Sequence, residues 1–158
     1  MGTAADFENS RYGITRNLGD LDFDRAREAV EQALATEGFG VLTTIDVQAT
    51  MKKKLNVDMP PYLILGTCNP PLAHQALQAE PAAGLLLPCN VVLTQQADGV
   101  VVSAVDPEKM FEVVGRPEVA PLDEPAPSDM GLKGAGFPPT QGAIRRPKRR
   151  QQSAAQTR

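Results

Sequence analysis

The chain of 158 residues has no tryptophan, one histidine, two cysteines and two tyrosines, and each shortage removes a class of function. No apolar run reaches the roughly 18 residues that a membrane-spanning helix needs, so no membrane span is expected. The single histidine, His74, would have to serve every catalytic triad, and Ser103 has no histidine near it in sequence, so hydrolase chemistry is not expected. Gly38-Phe39-Gly40 lacks the third glycine of a dinucleotide loop. The first residues, Met1 to Asp6, have neither the basic nor the apolar region of a secretory signal, and Asp6 stands where N-myristoylation wants Ser or Thr. A cytoplasmic location follows as the expectation. In that reducing compartment Cys68 and Cys89 are expected as thiols rather than as a structural disulfide.

Charge is present but unevenly spread. Arg145, Arg146, Lys148, Arg149, Arg150 and Arg158 supply six of the 16 basic groups, whereas all 19 acids lie before them. The body is strongly acidic and the end basic, an asymmetry that marks a separate interaction tail. The fourteen prolines also crowd toward that end. Residues 116–158, Pro/Gly-rich and then basic, cannot bury enough apolar surface to offset the entropy of ordering and are read as a disordered tail. Residues 1–10 are read as a flexible N-terminus, and 11–115 as one folded domain.

Within that domain, alternation and β-branching make Tyr12 to Leu18 a first strand. Asp22 is placed to cap a helix with Phe23, Ala26, Val30, Ala33 and Leu34 at helical spacing, and Gly38 to stop it. Phe39 to Ile45 reads as a second strand with Val41, Thr43 and Ile45 on one side. Val47, Met51 and Leu55 then mark a short helix beside the exposed Lys52, Lys53 and Lys54, a solvated face more than a phosphate site. Tyr62 to Gly66 is a central strand. Asn69 caps a helix that opens with Pro70 and turns Leu72, Ala73, Ala76 and Leu77 inward. Gly84 to Leu87 is expected to return in extended form, and Ala97-Asp98-Gly99 to turn a hairpin between Val91–Leu93 and Val100–Val102. Asp106-Pro107 opens a last short helix. The sum is an α+β fold, a mixed sheet of about five strands covered by three to four helices.

The strings Tyr62-Leu-Ile-Leu-Gly-Thr-Cys-Asn-Pro, Ala76-Leu-Gln-Ala-Glu-Pro, Gly84-Leu-Leu-Leu-Pro-Cys-Asn-Val-Val and Ser103-Ala-Val-Asp-Pro resemble the family called domain of unknown function 302, over about residues 10 to 115. The resemblance implies a small α+β domain with a helix-covered sheet, able to form homodimers. It implies no reaction.

Chemistry is to be sought at Cys68-Asn69 and Cys89-Asn90, two matching settings at element edges. If the strand ending at Leu65 runs up, the following helix runs down and Gly84 to Pro88 climbs back, both thiols finish at one edge of the sheet. The leading reading is a homodimeric module binding a small ligand or metal near Cys68, Asn69, Cys89 and Asn90. A metal could take Cys68, His74 and Cys89, although no close cysteine pair and no fourth ligand are evident. His74 stands off the apolar stripe, where a solvent-facing side chain is the plainer reading, and both cysteines can equally serve as small apolar residues in turns. Two alternatives stand beside this: a thiol redox enzyme with Cys68 as nucleophile and Cys89 as resolving partner, and an interaction protein whose basic tail meets nucleic acid or an anionic surface. No motif names a cofactor.

Overall fold

In the computed structural model, which describes residues 6–7, 10–106 and 109–110, the longest helix forms as its sequence demands. Helix α1, Phe23–Thr36, starts where the Asp22 carboxylate accepts from the backbone N–H groups of Asp24 and Arg25, both at 3.1 Å. Ala26, Val30, Ala33 and Leu34 line its buried stripe. Gly38 adopts φ 77° just beyond the end, a conformation that costs a glycine little.

Five strands form one sheet in the order β1–β5–β4–β3–β2: β1 Gly13–Asn17, β2 Gly40–Asp46, β3 Tyr62–Cys68, β4 Cys89–Gln96 and β5 Gly99–Val105. Together with α1, helix α2 (Val47–Leu55) and helix α3 (Pro70–Ala79), they give the expected α+β fold. The sheet is not mixed. All four pairings are antiparallel.

The reason lies in the segment after α3. Gly84 to Leu87 does not return as a strand; Pro81–Leu86 forms a 3-10 helix, capped by the Glu80 carboxylate accepting from Ala82 N–H at 3.1 Å. Leu85 is left 89% exposed. The chain therefore stays at the end of the sheet that β3 has just reached, and β4 runs back beside β3 from there.

Helix α1 packs on one face of the sheet, the inner face, where Leu65, Val91, Leu93, Val100, Val102 and Ala104 meet Val30 and Leu34 in a single core. Strand periodicity fixes the rest: Leu65, Thr67, Cys89, Val91 and Leu93 share that inner face, while Tyr62, Ile64, Cys68, Asn90, Val92 and Ser103 take the outer one. In β2 the register shifts between Val41 and Thr43, with Leu42 as the extra residue. Val41, opposite Thr67, is thereby separated from Thr43 and Ile45, opposite Gly66 and Ile64, so the three do not share a side as their alternation suggests. Helix α2 buries none of its residues, and in α3 only Ala76 is buried, with Leu77 turned outward.

Residues 109 and 110 are helical, and the Asp106 carboxylate accepts from Lys109 N–H at 3.4 Å. The tail at 116–158 lies outside the described residues. Among the described residues no helix is long and apolar enough to cross a membrane.

Candidate functional site

Cys68 ends β3 and Cys89 begins β4, with Cys89 directly opposite Thr67. Antiparallel pairing brings the two cysteines to the same end of the sheet, without the extended return that the sequence leads one to expect. Adjacent residues of a strand point to opposite faces, so Cys89 shares the inner face with Thr67 while Cys68 belongs to the outer face. Both are free and half-buried. Burial, and then the neighbouring Cys68, push the Cys89 thiol up from its ordinary range, which favours its protonated form.

The asparagines divide in role. Asn69 is occupied on both sides of its amide: Oδ1 accepts from Leu72 N–H at 3.4 Å as the cap of α3, and Nδ2 donates to the Glu37 carbonyl at 3.3 Å, tying α3 to the end of α1. Asn90 is exposed on the outer face. His74 faces solvent on α3. Among the described residues no group of three or more His, Cys, Asp or Glu side chains could hold a metal ion, so Cys68, His74 and Cys89 do not assemble into a metal centre there.

A cavity of about 560 Å³ lies on the outer face, lined by Tyr12, Tyr62, Pro88, Asn90, Val92 and Ser103, with Ser10 and Gly13 at its β1 end. Its volume falls in the range of small-molecule sites. Asn90 is the one candidate position that lines it. Burial raises the Tyr62 phenol above its ordinary value, with Tyr12 adding to the effect. At the β1 end Thr15 Oγ1 lies 2.8 Å from Ser103 Oγ and donates to the Phe7 carbonyl at 3.2 Å. Ser103 is thus committed to a hydroxyl pair and has no catalytic histidine.

The sequence by itself does not single out Tyr12, Tyr62, Ser10 or Thr15 as site residues. One signal is present in it, a lone serine in the apolar β5 string Val100 to Val105. Its partner Thr15 comes from the opposite end of the domain, and nothing local announces that pairing.

The fold and this cavity define a small antiparallel α+β domain with one sheet face roofed by a helix and the other hollowed. The chain belongs to the family described as Domain of unknown function DUF302, whose model matches residues 14–130. It is similar to the crystal structure of an uncharacterised conserved DUF302 protein from Bacillus stearothermophilus, at 26% identity and a TM-score of 0.64, covering 70% of this chain and 85% of that one. No curated protein sequence matches.

Proposed function

We propose that this chain is a cytoplasmic binding module whose small-molecule ligand sits on the outer face of the sheet. The observation that carries the reading is the cavity beside Tyr62, Pro88, Asn90 and Val92: it is concave, walled mainly by apolar groups and provided with a few polar ones, as ligand sites are. Asn90 is the direct contact, and Cys68, Asn69 and Cys89 frame the end of the sheet from which it projects. The test is native mass spectrometry of gently purified protein. A retained small molecule that disappears in Val92→Arg, a change that fills the cavity with a charged side chain, is the expected result. An identical spectrum for the two proteins would count against the site.

A homodimer is the second part of the proposal, favoured by β2. This strand is an edge of the sheet, is exposed at every residue, and leaves Leu42 at 67% and Ile45 at 46% exposure. An uncharged edge from Gly40 to Ile45 can pair with its own copy across a two-fold axis, which covers the apolar side chains and the free backbone groups together. The bulge at Leu42 restricts that pairing to Thr43 and beyond. Light scattering after size exclusion checks it: the wild type runs as a dimer and Ile45→Lys as a monomer. The thiol-redox alternative draws less support, because its resolving partner Cys89 would have to attack as a thiolate and its environment favours the thiol. The tail-based alternative concerns residues outside those described.

A further inference from the structure

The hydroxyl of Ser10 is buried and has no hydrogen-bond partner among the described residues. A buried polar group left unsatisfied costs free energy and asks for an explanation. Ser10 lies in the lining of the outer cavity, and so do Ser103 and Gly13. A Cβ at Gly13 would stand 2.6 Å from Ser10 Oγ and 3.0 Å from Ser103 Oγ, so the glycine keeps open the space between two hydroxyls.

The protons there can be counted. Thr15 Oγ1 donates its one proton to the Phe7 carbonyl, so within the 2.8 Å pair it must accept from Ser103. Ser103 then has lone pairs left but no proton, whereas Ser10 can donate or accept. This end of the cavity offers one acceptor beside one group of either kind. A hydroxyl, itself both donor and acceptor, complements that pair.

The charges narrow the choice further. Among the described residues no Lys, Arg or His lines the cavity, and Asp6 is the one acidic residue among them that does. An anion would find no counter-charge among those residues to offset the hydration it gives up. Apart from Asn90 and the tyrosine hydroxyls, the remaining wall, with Leu86, Pro88, Val92, Val105 and Met110, is apolar.

We infer that the outer cavity takes a neutral, largely apolar molecule bearing a hydroxyl, which Ser10 and Ser103 receive at the β1 end while the apolar body lies along Pro88 and Val92. This rests on the ligand-binding reading above and specifies the ligand class. The protein carries its own reporters: it has two tyrosines and no tryptophan, and both Tyr12 and Tyr62 line the cavity.

The test uses the full chain, labelled on its tyrosine rings, and two probes of similar shape at neutral pH, the uncharged 2-naphthol and the anionic 2-naphthoate. The expected result is a saturable shift of both tyrosine ring signals by 2-naphthol, with 2-naphthoate weaker by at least about tenfold. Ser10→Ala, which removes a buried unpaired hydroxyl and so should fold normally, is expected to weaken 2-naphthol by about three- to tenfold. Binding of 2-naphthoate as tight as that of 2-naphthol overturns the ligand class but leaves the cavity as a binding site. Undiminished 2-naphthol affinity in Ser10→Ala overturns the role given to Ser10. Tyrosine signals that respond to neither probe overturn the cavity itself, and the proposed function with it.

Discussion

Strands β2 and β5 are seven residues each, both open on glycine, and read Gly-Val-Leu-Thr-Thr-Ile-Asp and Gly-Val-Val-Val-Ser-Ala-Val. Every residue of β2 is exposed, whereas five of the seven in β5 are buried. Both carry β-branched and apolar residues, as strands do. Position in the sheet separates them. β5 lies between β1 and β4 under α1, and β2 has β3 on one side and, among the described residues, no strand on the other. Apolar side chains on the inner strand hold the fold, and those on the edge are available to a partner.

The contrast is broken most sharply by placing the same charge in both strands. Val102→Asp puts a carboxylate at a position with 0% exposure in the core, and unfolding or a loss above about 4 kcal/mol is expected. Ile45→Asp should change the stability of dilute, monomeric protein by less than about 0.5 kcal/mol. Urea titrations of the two variants decide it, and comparable losses would show that β2 is packed as firmly as β5.

The opening glycines give the next largest effect. Gly99 adopts φ 121°, and a Cβ there would run into the backbone of Gly19, whose carbonyl accepts from Val100 N–H at 2.9 Å. Gly99→Ala should therefore cost about 1–3 kcal/mol. Gly40 has ordinary φ, and a methyl group added to it would meet nothing within 4 Å, so Gly40→Ala is expected to be neutral or to stabilise by up to about 1 kcal/mol. Thermal midpoints moving in the same direction by the same amount would erase the distinction.

The smallest effect is in pH. Cys89, on the inner face beside the core, has a thiol raised by burial, and Tyr62, on the outer face, a raised phenol. The folded state therefore holds each proton to a higher pH than the unfolded chain does. Their contributions are complete below the unfolded values and are lost as pH climbs, from about 9 for the thiol and about 10 for the phenol. Chemical denaturation between about pH 8 and pH 11 should show a shallow decline, flattened at its lower end by Cys89→Ala and at its upper end by Tyr62→Phe. An unchanged slope in Cys89→Ala would mean that the thiol is not desolvated.

How far the sequence discloses all this follows the same division between local and distant causes. The Asp22 and Asn69 caps, the Ala26/Val30/Leu34 stripe and the Ala97-Asp98 hairpin are legible because each is decided within a few residues. The family is legible for a similar reason, from strings such as Leu-Gly-Thr-Cys-Asn-Pro. The bulge at Leu42 is not, since it depends on which residues of β3 lie opposite. The 3-10 turn after Pro81 reads as a strand because Gly-Leu-Leu-Leu carries no period that distinguishes the two. Of the candidate site, the sequence leads to the shared sheet end of Cys68 and Cys89 only by way of an extended return that does not form, and the antiparallel pairing that brings them there, their division between faces and the hydroxyl end of the cavity all depend on pairings across the chain.

The pairing of β1 with β5 sets a timetable for the ribosome. Gly13 to Asn17 emerge early, yet their partners are Val101 to Val105, and the core under α1 needs Val100, Val102 and Ala104 as well. At typical synthesis rates the N-terminal strand and helix wait roughly 5–20 s for those residues. During that interval the apolar stripe of α1 lacks the Val100, Val102 and Ala104 part of its core and stays incompletely covered.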